Sequence, residues 1–315
     1  MSKRESKRNY DISSKCKEIL RGSVQSIEAS YLSDFRSFED LLIPKNYELI
    51  MATAHMLGDL SSSYQALVLI NYKEKEIIIA NSGSRYAPIK HMLLDLFGAL
   101  RFALGFTPYN VQEVIKVNEM LLDSLGPLAE NYTFHYTGHS IGGVIAQCGA
   151  VHMKKSLKER DQAKAISQVT AITFENPGAK ALIEKLDVDN DISTNGFITI
   201  NNRPNVINSW GSQCSQVFTI VPDAQPPIPS TYIGRVFKKL KQFSSKNYVF
   251  SYFTNVFQLA EMGLSQLQKD HALERFKEVC IEERGSYLDQ SGVTASYAEM
   301  FELPILADGF ITEFD

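Results

Sequence analysis

Apolar residues along this chain recur with two periods, and the alternation between them sketches an α/β molecule. Residues 66–71 (ALVLIN) and 76–80 (EIIIA) are short runs rich in β-branched residues. The charged Tyr72-Lys73-Glu74-Lys75 separates them, the pattern of a hairpin entering a sheet. Comparable runs at 132–137, 169–174, 197–200 and 216–221 predict four more strands. Between them, Val111, Val114, Ile115, Val117, Met120, Leu121 and Leu125 fall at helical spacing and predict an amphipathic helix over 110–125. Residues 179–186 predict a short helix. Residues 27–60 place Leu41, Leu42, Tyr47, Leu49, Ile50, Ala54 and Leu57 at helical spacing without alternation, which predicts helices flanking the core. Residues 1–25 are polar and predict loosely ordered chain.

Two stretches depart from this rhythm. Residues 86–106 leave almost no polar face, so a helix there must be buried by protein or lie against lipid. Residues 231–268 interleave Arg235, Lys238, Lys239 and Lys241 with Tyr232, Phe237, Phe243 and Tyr248. That mixture suits a lipid headgroup interface, and equally a helical cap packed on the core.

Composition narrows the function classes. With 315 residues, 44% of them hydrophobic and 22% charged, the chain can bury a large single core, and one α/β domain with insertions is the expectation. A net charge of −4 gives no concentrated basic face for phosphate binding, so nucleic acid is not an expected partner. No run of about 18 apolar residues is present to span a membrane. The charged N-terminus is not followed by the apolar region of a Sec signal. The four cysteines, Cys16, Cys148, Cys214 and Cys280, are scattered and read as reduced thiols of a protein made in the cytoplasm. No zinc pattern, P-loop or dinucleotide-binding glycine set occurs, so neither a cofactor nor a metal is expected. The Asp187, Asp189, Asp191 spacing of a calcium loop lacks the glycine and distal glutamate that such a loop requires.

The candidate chemistry lies in residues 131–150, NYTFHYTGHSIGGVIAQCGA. A predicted strand runs into Gly138-His139-Ser140-Ile141-Gly142-Gly143 and then into a small, apolar, helix-compatible segment. A serine hydroxyl is a poor nucleophile at its own pKa, so it must be held clear of its surroundings, beside a base and near amide donors for the oxyanion. Glycines two before and two after Ser140 permit that strained strand-turn-helix geometry, and the amide of Ile141 is placed to meet the developing charge.

GHSIGG after a strand, followed some thirty residues later by VTAITFENPG at 169–178, resembles the class 3 lipase group of α/β-hydrolases. Upstream, IIIANSGS at 77–84 is similar to that family's strand ending in R-G-[ST], with Ser82 in place of the arginine and Gly83-Ser84 matching. The resemblance covers residues 66–279. It implies an α/β-hydrolase fold, a central, mostly parallel sheet flanked by helices and carrying helical lid or cap insertions. The chain is expected to divide into an N-terminal helical segment, 1–60, packing on the core, and an α/β-hydrolase domain, 61–315, with a helical insertion at about 231–268. The resemblance further implies that Ser84 helps build the oxyanion hole and that residues 86–106 include a lid.

In that fold the triad runs nucleophile, acid, base along the chain. Of six histidines, only His271 follows all the predicted strands, so it is the expected general base. His139, beside the serine, is expected to pack or orient the turn. The family's acid follows the strand matching 197–200, where this chain reads NNRPNVIN over 201–208 with no carboxylate. Asn205 stands nearest that position and can hold an imidazole through its amide oxygen. Asp223, one strand later, is the alternative acid.

The implied activity is hydrolysis of carboxylic esters of lipids, as a phospholipase, lysophospholipase or lipase, with peripheral contact to a membrane. The alternatives are an esterase for soluble esters, or a degenerate hydrolase fold that binds lipid or a protein partner. Without a Sec signal, the expected routes are action inside a host cell or export by a non-Sec pathway. The acidic, aromatic 299–315 reads either as a translocation signal or as a closing strand.

Overall fold

The computed structural model describes residues 3–32, 43–53, 64–83, 109–187, 192–202, 208, 211–222, 274–283, 285–289 and 294–295. The predicted hairpin forms: β2 (Ala66–Asn71) and β3 (Glu76–Asn81) pair antiparallel, with Asn71 opposite Glu76. Asn71 Oδ1 accepts from the amides of Lys73 and Glu74, both at 3.1 Å, so a side chain closes the turn. β4 (Thr133–His139), β5 (Val169–Phe174), β6 (Phe197–Asn201) and β7 (Gln216–Pro222) then line up parallel to β3. β8 (Gly285–Leu288) and β9 (Thr294–Ala295) return antiparallel. With β1 (Glu48–Ala52) at the edge beside β2, the nine strands among the described residues stand in chain order across one sheet.

A sheet with a parallel centre must be covered on both faces, and its strands read as continuous apolar runs. Every residue of β2, β3, β5 and β6 is buried. On one face Ile79, Phe134, Tyr136 and Ala171 pack under α2 (Tyr109–Leu125) and α3 (Ile141–Glu159). On the other, Ile172, Phe174, Ile200 and Phe218 pack under α1 (Lys3–Leu32) and α5 (Glu274–Cys280). A short α4 (Lys180–Leu186) sits on the α3 side through Leu182 and Ile183.

Two expectations for the first sixty residues need correction. Residues 3–32 are one helix of 30 residues instead of loose chain, because Ile19, Leu20, Val24 and Ile27 make a buried stripe that the polar opening residues mask. Small residues bring this helix close to the sheet: a Cβ on Gly22 would stand 3.5 Å from Ile78 Cδ1. Within residues 27–60, Glu48–Ala52 is not helical but forms β1, paired antiparallel with β2. The register shifts between Leu49 and Met51, and this irregularity breaks the strict alternation that would have announced a strand. No helix among the described residues is long and apolar enough to cross a membrane.

Candidate active site

The parallel register places His139 beside Phe174, and the chain then leaves β4 at Ser140 with φ 60° and ψ −129°. A non-glycine residue avoids that backbone region unless its surroundings impose it. Here they do. The Ser140 amide donates to Phe174 O at 2.9 Å, and Ser140 O accepts from the Gly143 amide at 2.9 Å as α3 begins. The side chain is half-buried at the turn.

The glycines around it are required by contact. A Cβ on Gly138 would lie 2.1 Å from Gly142 O, and one on Gly142 would lie 2.4 Å from Asn81 O. The start of α3 therefore rests directly on the end of β4 and on the end of β3. Ile141 and Gly142 open the helix, where amides have no acceptor within the helix and are available to an anion.

Asn81 ends β3 opposite Gly138, and it is tied down: Nδ2 donates to Thr137 O at 3.3 Å, while Oδ1 accepts from the Tyr64 hydroxyl at 2.9 Å. Burial keeps that tyrosine protonated by raising its pKa above the ordinary value. Ser82 donates through both its amide and its hydroxyl to Gln65 O, at 3.0 and 3.1 Å. Beneath the turn a buried polar set locks α3 to the sheet. Gln147 Nε2 donates to Thr173 Oγ1 at 3.3 Å and to Thr199 Oγ1 at 3.1 Å, and Cys214 Sγ donates to Gln147 Oε1.

At the same sheet edge, Glu175 follows Phe174 directly, fully buried and with φ 50°. Its amide donates to Ile200 O at 3.0 Å. Its carboxylate accepts from the Asn202 amide and from Asn208 Nδ2, the latter at 3.1 and 3.3 Å to its two oxygens. Its place beside Ser140 is set by the parallel pairing of β4 with β5, which the sequence does not display.

Of the predicted site residues, Ser140 and Ile141 stand side by side at the turn, as N-cap and first residue of α3. Ser84, Asn205, Asp223 and His271 lie outside the described residues, as do the stretches 86–106 and 231–268. His139 is buried, with its ring 6.4 Å from that of Phe276 in α5, and Phe276 stacks edge-on against Phe174 at 5.1 Å.

A mostly parallel sheet, helices on both faces and a strained strand-serine-helix turn at its C-terminal edge define an α/β-hydrolase fold. Among solved structures, the Rhizomucor miehei lipase propeptide complex matches over 70% of this chain and 70% of its own, at 16% identity and a TM-score of 0.42. A fungal lipase-inhibitor complex matches over 68% of this chain and 81% of its own, at 17% identity and a TM-score of 0.43. The Lip2 lipase of Yarrowia lipolytica matches over 66% and 78%, at 15% and 0.36. Among curated proteins, the uncharacterized protein RP165 of Rickettsia prowazekii (strain Madrid E) is 23% identical over 194 residues, 58% of this chain. The chain spans about half of that relative's length, 49%. No family model matches the chain. The fold itself follows from the strand order and the turn.

Proposed function

We propose that this chain is a serine hydrolase that cleaves carboxylic esters of lipids through an acyl-enzyme on Ser140. The observation that carries this reading is the Ser140 turn: a strained nucleophile position held by Phe174 O, with close backbone approaches that only glycine permits. Strain of this kind persists only where surrounding structure over-determines it, and it collects at reactive centres.

In the proposed reaction Ser140 Oγ attacks the ester carbonyl carbon while its proton passes to His271. Amides at Ile141 and Ser84 receive the oxyanion. Collapse of the tetrahedral species expels the alcohol, which takes the proton from His271, and water then repeats the sequence on the acyl-enzyme. Support for His271 comes from its position along the chain. Asn205, or Asp223 in its place, orients the base in the reading carried from the sequence. The lipid preference draws on the apolar 86–106 and the aromatic-basic 231–268.

The test is a membrane lipid extract incubated with wild type, Ser140→Ala and His271→Ala. Wild type is expected to release fatty acid and a lysolipid or partial glyceride. Each variant is expected to be slower by roughly 10⁴-fold or more. Equal release by His271→Ala would refute the base assignment, and equal release by Ser140→Ala would refute the nucleophile.

A further inference from the structure

We propose that Asn81 is a positioning residue of the Ser140 site: its side chain ties the end of β3 to Tyr64 and to β4, and so fixes the backbone against which α3 sets the Ile141 amide. The inference rests on the serine-hydrolase reading of Ser140 and adds a residue to that site.

Three observations converge. The first is contact. The start of α3 lies on the last residues of β3, because a Cβ on Gly142 would stand 2.4 Å from Asn81 O and 2.8 Å from both Ser82 C and Ser82 O. Ile141, one residue earlier, carries the amide proposed to receive the oxyanion. A shift of the Asn81–Ser82 backbone is therefore passed to that amide.

The second observation is chemistry. β3 is an apolar strand, Ile77 to Ala80 being buried, and it closes on a carboxamide with no exposed surface. A buried amide costs free energy unless its groups are paired, whereas an aliphatic side chain would end the strand without that cost. The groups of Asn81 are paired across the sheet end. Oδ1 accepts from the Tyr64 hydroxyl at 2.9 Å, and Nδ2 donates to Thr137 O on β4 and to Ile79 O on its own strand, both at 3.3 Å.

The third is a second tie from the same place. Gln65 O accepts from the amide and the hydroxyl of Ser82, at 3.0 and 3.1 Å. Consecutive residues 64 and 65 thus hold consecutive residues 81 and 82, the first by side chain and the second by backbone. A donor stabilises a developing charge best when it is already in place, so fixing its support lowers the barrier without strengthening the ground-state complex.

The competing role is packing of the strand end alone, which changes stability and nothing else. The molecule contains a matched control. Tyr136 is also buried, and its hydroxyl donates to Asn118 Oδ1 at 2.6 Å, joining β4 to α2. Tyr136 lies four residues before Ser140, about 13 Å back along the strand. Removing either hydroxyl takes one donor from a buried asparagine, but only the Tyr64 hydroxyl braces the site.

The experiment measures kcat and KM on a soluble ester, the affinity for an alkyl boronic acid, and the melting temperature. The proteins are full-length wild type, Tyr64→Phe, Asn81→Ala and Tyr136→Phe, assayed well below the lowest melt. The boronic acid becomes a tetrahedral anion on the serine and so reports the oxyanion donors. Tyr64→Phe is expected to lose about tenfold in kcat and Asn81→Ala about 10²-fold, with KM unchanged and boronic acid affinity falling by the same factors. Tyr136→Phe is expected to melt lower while keeping the wild-type kcat and boronic acid affinity. A Tyr64→Phe protein with wild-type kcat overturns the proposal, as does a loss that Tyr136→Phe shares or one that appears in KM alone. If Asn81→Ala does not fold, the comparison of Tyr64→Phe with Tyr136→Phe decides. A wild type that neither hydrolyses esters nor labels at Ser140 defeats the underlying reading first, and the inference falls with it; an active wild type with an unaffected Tyr64→Phe defeats this inference alone.

Discussion

At the scale of single residues, the site is a set of contacts that admit only particular atoms. A methyl group on Gly142 would stand 2.4 Å from Asn81 O, a backbone atom that cannot swing aside. A methyl on Gly143 would meet the Asn176 and Thr173 Cβ atoms at 3.2 Å, which a shift of a few tenths of an ångström relieves. Gly142→Ala is therefore expected to destabilise by about 1–3 kcal/mol and to cut kcat sharply by moving the Ile141 amide proposed to receive the oxyanion, and Gly143→Ala to cost much less. Thermal melts with steady-state rates on both variants check this, and a silent Gly142→Ala would show that α3 does not rest on β3. The serine turn was legible from sequence because spacing alone encodes it. The buried place of Glu175 beside it was not, because that depends on a parallel pairing across the sheet that sequence does not display.

At the scale of elements, the hairpin, the parallel strands and α2 were legible as runs with a clear period. The first sixty residues were not, since α1 hides its buried stripe behind charged residues and β1 carries an irregular register. The end of the sheet opposite the site contains a buried ionic group that the sequence also concealed. His135 is buried on β4, with Nδ1 2.8 Å from Thr170 Oγ1, and burial pulls its pKa below the ordinary value. Burial opposes ionisation of the adjoining Glu76, yet His135, Lys15 at 2.7 Å and Tyr47 together hold its carboxyl below the usual range. At neutral pH an uncharged His135 adds no attraction, so Lys15 and the Tyr47 hydroxyl carry that effect.

A base with a depressed folded pKa binds fewer protons when folded. Its contribution to stability is present above the unfolded value near 6.5 and is lost as pH falls below it, by at most about 1.4 kcal/mol per pH unit. Glu76 adds a loss only at lower pH, as its folded pKa is passed. His135→Asn, which keeps a partner for Thr170, should flatten the pH 7 to 5 dependence of the melting temperature. His152, whose pKa burial also lowers, titrates in both proteins, so the difference between them reports His135. Parallel pH profiles for the two proteins would show that His135 is not the group that titrates.

At the scale of the whole molecule, the fold gathers the candidate site from three strands. Asn81 of β3, Ser140 after β4 and Glu175 after β5 meet at one edge, and α5 brings Phe276 against the last two strands. This is the edge at which open α/β sheets place ligands. The proposed base must lose a proton before it can accept one, so kcat/KM for ester hydrolysis should rise with pH through about 6.5 and then level. A rate indifferent to pH between 5 and 8 would remove histidine from the mechanism.

Whether Ser140 is a nucleophile can be read by covalent labelling. Full-length wild type and Ser140→Ala are treated with a fluorophosphonate at neutral pH and the modified peptide is identified by mass spectrometry. Near-stoichiometric phosphonylation of wild type on Ser140 is expected, blocked by prior boiling and absent in Ser140→Ala. A folded wild type that takes up no label, or takes it up equally after Ser140→Ala, would contradict it.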